Sequence, residues 1–224
     1  MTAGWHSDRM TTPADAPEVD VQPLGEFLGQ LAARLPAPGA GATAAIEAAL
    51  AASLVAMVGR FTSGDGYAEH RDVVAAVIAQ ADAVRTTCLA AAAADETAFT
   101  AVTEAYRLPQ DTPEEQETRR AAVHAAQVEA AQPPRDVIEA AAALLPLAEQ
   151  LLPIANPNVV SDVAAATAAA RAAATTARLA VEVNLRGITD DAARADLSTV
   201  VDRVEELIRR ADAVEATVRE RLAR

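Results

Sequence analysis

The sequence predicts an all-α fold, a bundle of six to seven mostly long, alanine-rich helices, and three observations carry that expectation. Apolar residues make up 51% of the chain while aromatics are only 3%, so the core is assembled mainly from Ala, Val and Leu. Alanine is the best helix former, and small side chains let helices approach at the short end of the roughly 8 to 10 Å range. No stretch sustains the period-2 alternation of β-branched residues that marks a strand, and only nine glycines are available for turns.

Residues 1–22 are polar, acidic and, with the following residue, punctuated by Pro13, Pro17 and Pro23, which reads as a disordered lead-in. Residues 23–224 read as a single helical domain. A short helix with Phe27, Leu28, Leu31 and Leu35 on one face stops at PAPGAG, because proline disfavours the helical conformation in its predecessor. The next helix spans about 42–61 and ends at SGDG, and a long helical stretch fills about 68–107 until Leu108 and Pro109. DTPEE restarts the chain, with Thr112 as N-cap, Pro113 in the first position and two glutamates facing the helix dipole. That helix ends at Pro133 and Pro134, and another over 135–152 is expected to kink or break at Pro146. Asn156 with Pro157 caps a helix reaching about Arg186, and Thr189 with Asp190 caps the last one. Its apolar stripe runs Val200, Val204, Leu207, Ile208, Ala211, Val214, Val218 and Leu222.

The net charge is −13, and all 19 basic residues are arginine. The absence of lysine excludes Schiff-base chemistry and a P-loop lysine. An acidic chain lacks the basic footprint that neutralises phosphates, so neither nucleic acid nor an anionic membrane surface is an expected partner. The nearest thing to a membrane span, residues 42–58, is short, dominated by alanine and carries Glu47, and it reads as a buried helix. One cysteine, Cys88, and three scattered histidines, His6, His70 and His124, give no disulfide, triad or metal site, and a cytoplasmic location fits.

Three features can carry chemistry. PAPGAGAT, residues 36–43, places two glycines ahead of an apolar helix, where free N–H groups favour an anion; a tight interhelical turn explains the same residues. Asp95 has Ala91, Ala92, Ala98 and Phe99 as its helical neighbours. On so apolar a face burial raises its pKa toward the range useful for proton transfer, unless the face is exposed and Asp95 and Glu96 are both solvated. Ser161 and Asp162 lie in the first turns of a helix, where a carboxylate complements the dipole; the alternative is a second carboxylate facing Asp95 across the bundle.

With these residues in view, the chain resembles the cyclodeaminase/cyclohydrolase family of folate enzymes over roughly residues 24–205. The family's PxPGGG loop appears as PAPGAG, and its ALxxMVxxFT pattern as SLVAMVGRFT, residues 53–62. DxxAFxxVxxAY is matched by Asp95, Ala98, Phe99, Val102, Ala105 and Tyr106, followed by LP and TPEE in register. AAQPPRDVIEAA, ANPNVVSD and AVEVNLRGITDD match three further segments in order. Ala40, Ala155 and Ala180 replace a glycine, a glycine and an asparagine of the pattern. If position 40 needs φ > 0, alanine there costs about 1 kcal/mol or more.

The resemblance implies an enzyme acting on a tetrahydrofolate derivative, as formiminotetrahydrofolate cyclodeaminase, methenyltetrahydrofolate cyclohydrolase or both, with no cofactor beyond its substrate and no metal. In the first reaction N10 attacks the formimino carbon on N5 and ammonia leaves; in the second, water adds to the 5,10-methenyl cation. It implies Asp95 as the main acid/base, Asp162 as its partner or the group orienting the pterin, and Pro38, Gly39, Gly41, Thr43, Asn156, Ser161 and Asn184 as substrate-binding residues. Alanine-rich faces on several long helices exceed what one chain covers, which predicts a homodimer, and the resemblance supports that expectation. The competing reading is a non-catalytic folate-binding or helical interaction module in which the three alanines mark a degenerate site.

Overall fold

A computed structural model describes residues 22–224. The expected disordered lead-in, with His6, lies outside the described residues apart from its last position. Among the described residues there are eight α-helices and no strand: α1 Leu24–Leu31, α2 Ala40–Phe61, α3 Arg71–Tyr106, α4 Pro113–Ala130, α5 Gln132–Leu151, α6 Val160–Leu185, α7 Asp191–Asp202 and α8 Val204–Leu222. The all-α expectation holds. The eighth helix arises because the last expected segment divides at Arg203, whose φ of −71° and ψ of −18° are nearly helical.

Local chemistry sets most boundaries. At the start of α4, Thr112 Oγ1 accepts the Glu115 N–H and Glu115 returns the bond to the Thr112 N–H, a complete capping box with Pro113 behind it. Asp190 caps α7 by accepting the Ala193 N–H at 2.7 Å. Pro133 and Pro134 begin α5 instead of ending α4, since the first turn needs no N–H from either. The helix then continues through Pro146 without a break. Asn156 caps a 3₁₀ turn, Pro157–Val159, from which α6 continues.

α2 is the centre of the bundle, packed against α3, α5 and α6. Its alanines at 42, 44, 45, 48, 51, 52 and 56 are shut off from solvent, and Val55 and Val58 fill the space between them. An all-round apolar helix is stable only when covered on several sides. By length and composition α2 could cross a membrane, as could the stretch Asp65–Tyr106. At Gly59 the backbone of α2 comes so near α3 that a Cβ would lie 2.7 Å from Ile78 Cγ1. The stripe Val204, Leu207, Ala211, Val214 and Val218 seats α8 on α6 and α5, and Arg210 grips Glu149 of α5 with two bonds of 2.8 and 2.7 Å.

Large apolar side chains remain exposed on several helices. The apolar face expected of the first helix is half used: Phe27 of α1 is buried and Leu31 packs half-buried on the core, while Leu28 and Leu35, with Leu24, are exposed. On α2 Leu50 and Phe61 are each 57% exposed, while Ile46, Leu54 and Met57, spaced helically between and beside them, are half-buried against the core. Leu179 and Val183 of α6 are exposed as well.

Candidate active site

α3 folds back along α2, which brings Asp95, eleven residues before the end of α3, against the first turn of α2. Asp95 Oδ2 accepts the Ala42 N–H at 2.9 Å. The carboxylate lies so close to the backbone that a Cβ on Gly41 would sit 1.9 Å from Oδ1. Gly41 is therefore required, and for contact with the acid itself. Burial raises the Asp95 carboxyl above its ordinary range, and the Ala42 hydrogen bond partly offsets the rise by favouring the anion. The dipole of α2 acts in the same direction as that bond.

The loop before α2 explains how this arrangement is built. Gly39 is the N-cap, extended at φ −133° and ψ −154°. Pro38 is buried, and Thr43 closes the first turn by donating its hydroxyl to the Gly39 carbonyl at 2.9 Å. A side chain on Gly39 would meet nothing within 4 Å. Ala40 is exposed at the first helical position, and no non-glycine residue among those described has positive φ, so the strain anticipated at position 40 does not arise. The anion that this helix start attracts in the isolated chain is Asp95.

The remaining candidate residues lie elsewhere. Asn156 donates Nδ2–H to the Phe61 carbonyl at 2.9 Å and its backbone N–H to Thr62 Oγ1 at 3.1 Å. Thr62 is fully buried and donates its hydroxyl hydrogen bond to the Val58 carbonyl. These bonds pin the start of α6 to the end of α2 opposite Asp95. From Ala42 to Phe61 is nineteen residues, or about 28 Å of helix. Ser161, exposed, and Asp162, half-buried, follow within two turns, so in one chain they do not face Asp95. The expected juxtaposition across the bundle is absent within the protomer because α6 enters at the far end of α2. Asn184 spends its amide on the Ala130 and Ala180 carbonyls, at 3.3 and 3.1 Å, and so joins α6 to the end of α4.

Sequence reasoning did not identify Ala42 as a donor, or Glu96 as more than a possible solvated neighbour. Glu96 Oε1 is buried without a hydrogen-bond partner, and its carboxyl is raised, first by burial and then by the Asp95 charge. Cys88 is buried in the α3 core, which pushes its thiol up to about 11 and leaves it inert near neutrality. His124 accepts the Thr189 N–H at 3.1 Å and helps hold the α6–α7 connection. Among the described residues no group of three or more His, Cys, Asp or Glu side chains could hold a metal ion.

A helical bundle that holds a desolvated carboxylate against a glycine at a helix start presents the kind of group found at proton-transfer sites. Comparison with known proteins is specific. The family model described as formiminotransferase-cyclodeaminase matches residues 23–203, and the chain belongs to that family. It is 34% identical over 213 residues to formimidoyltransferase-cyclodeaminase of Sus scrofa, a match covering 94% of this chain and 39% of the pig protein. It is 36% identical over 167 residues to methenyltetrahydrofolate cyclohydrolase of Methylorubrum extorquens, covering 74% of this chain and 80% of that one. A crystal structure of formiminotetrahydrofolate cyclodeaminase from Thermotoga maritima superposes with a TM-score of 0.81 at 27% identity, over 92% of this chain and 100% of that one. The chain thus spans about two-fifths of the pig relative and the whole of the Thermotoga fold.

Proposed function

We propose that this chain is an enzyme of one-carbon folate chemistry, acting as a formiminotetrahydrofolate cyclodeaminase, a methenyltetrahydrofolate cyclohydrolase or both. The observation that carries the reading is the Asp95 carboxylate, desolvated yet held by the Ala42 N–H at 2.9 Å. A carboxyl raised by burial holds a proton more readily than an ordinary aspartate, and both reactions move protons at a single carbon. The names of relatives that match most of the chain support the substrate class.

In this reading a second copy of the chain completes the site. The Asp95 end and the Asn156–Asp162 end of α2 are far apart in one protomer, and the exposed stripe of Leu50 and Phe61 runs between them. A two-fold related copy laid antiparallel on this stripe covers the apolar surface and brings one protomer's Asp95 toward its partner's Asp162. Gly39 and the free N–H groups at the start of α2 then border the substrate, and a reducing cytoplasm is the compartment proposed for the reaction. The test is direct: purified protein is mixed with 5-formiminotetrahydrofolate or 5,10-methenyltetrahydrofolate, and the methenyl chromophore is followed. Appearance of the chromophore in the first mixture or accelerated loss in the second is expected; silence in both refutes the reading in favour of a non-catalytic module.

A further inference from the structure

Asp95 and Glu96 are neighbours on α3 in unlike surroundings. Asp95 Oδ2 has a donor, the Ala42 N–H at 2.9 Å, and Oδ1 rests against the Gly41 backbone. Glu96 Oε1 is closed off from solvent and has no partner. A donor aimed at a carboxylate oxygen stabilises the anion, whereas a solvent-excluded oxygen without a donor favours the neutral acid. The Asp95 charge also opposes ionisation of the neighbouring Glu96, so the proton is favoured on Glu96 and the charge on Asp95.

We propose that Asp95 and Glu96 form a single acid–base pair, with Asp95 as the proton acceptor and Glu96 as the donor to a departing amine. The proposal rests on the folate reading above and deepens it: it assigns the second acidic group to α3 of the same protomer and the leaving group to nitrogen. Burial raises both carboxyl groups, the Asp95 charge adds to the rise at Glu96, and the Ala42 bond draws Asp95 back down, which agrees with those roles.

The steps balance. N10 of the folate attacks the carbon of the N5-formimino cation, and the C=N π pair moves to the terminal nitrogen. The N10 proton passes to the Asp95 carboxylate, leaving a neutral intermediate that carries an NH2 group. Glu96 protonates that NH2, the C–N bond breaks with its electron pair leaving on ammonia, and the N5 lone pair closes the methenyl cation. One proton then returns from Asp95 to Glu96, and the pair is restored. An amine cannot leave unprotonated, so a donor beside the acceptor is what this step needs.

The test compares wild type, Glu96→Gln and Glu96→Asp on 5-formiminotetrahydrofolate, with helicity checked for each. Glutamine keeps the size and loses the proton, so kcat is expected to fall about 10²-fold with KM changed less than about threefold. Aspartate keeps the proton and is expected to recover at least a tenth of the wild-type kcat. Wild-type turnover together with a Glu96→Gln kcat within threefold of it overturns the pair while leaving the folate reading intact. An aspartate variant as slow as the glutamine variant, or a loss expressed in KM alone, also overturns it, since either marks a packing role. Should Glu96→Gln fail to fold, the aspartate variant decides: retention of kcat supports the pair and its loss rejects it. If the wild type turns over neither folate, the folate reading is what fails.

Discussion

Replacing Gly41 by alanine tests whether the loop before α2 exists to hold the acid. The added Cβ would lie 1.9 Å from Asp95 Oδ1, 2.3 Å from Cγ and 2.6 Å from Oδ2, where ordinary contact begins near 3.4 Å. The carboxylate must retreat by about 1.5 Å, and the 2.9 Å bond to the Ala42 N–H is then lost. A hydrogen bond to a charged group contributes about 1.5–3 kcal/mol, whereas alanine in place of glycine within a helix returns about 1 kcal/mol. The fold therefore survives with a net loss of at most about 2 kcal/mol. Catalysis does not, because a displacement of about 1 Å in a reacting group costs about 10²-fold in rate. Gly29→Ala, on α1, is the control: its Cβ meets nothing within 4 Å, so the local packing is left unchanged. Methenyl absorbance measures turnover, circular dichroism the helicity and thermal unfolding the stability. A Gly41→Ala protein with turnover within threefold of wild type refutes the argument, as does an equal loss in Gly29→Ala.

Other outcomes follow from the same geometry. Asp95→Asn removes titration, and turnover is expected to fall about 10²-fold or more with the fold intact, read in the same absorbance assay. The same variant is expected to melt at a higher temperature than wild type at pH 7, with the gap closing toward pH 4. The sign is set by burial, which raises the folded-state carboxyl above its ordinary 3.8, so the folded state binds the proton more tightly and stability declines as pH rises between the unfolded and folded values. Thr62→Val leaves the partly buried Asn156 N–H without its acceptor and is expected to cost about 1 kcal/mol in denaturant unfolding. Leu50→Glu places a charge in the exposed stripe of α2; sedimentation is expected to show a dimer in wild type and a monomer in the variant, and an unchanged mass argues against assembly through this face.

The fold was legible because alanine leaves few alternatives to helix and because several caps are written in residues such as Thr112, Pro113 and Asp190, whose side chains act locally. The division at Arg203 was not legible, since no glycine, proline or cap residue marks it and the backbone there is nearly helical. Asp95 stood out on its apolar face. Its contact with Gly41 did not, because spacing along one helix carries no information about the residue opposite on another. For the same reason Asp162 could be placed on a helix but not at an end of the bundle: the direction in which α6 passes α2 is set by the Asn156 bonds to Phe61 and Thr62.

Those bonds at Thr62 have a consequence for how the molecule chooses one structure among many. Helices surfaced mainly with methyl groups are smooth, and a shift of one by a turn along another replaces alanine contacts with alanine contacts at little change in energy. Polar attachments at the helix ends remove that degeneracy, since Asn156 meets Thr62 in one alignment of α6 on α2, and Asn184 meets the Ala130 carbonyl in one alignment of α6 on α4. Alanine supplies cohesion here while a few amides and hydroxyls supply uniqueness. Erasing the attachments should leave a bundle that is still helical and still compact, yet slides among registers and carries Asp95 and Asp162 with it.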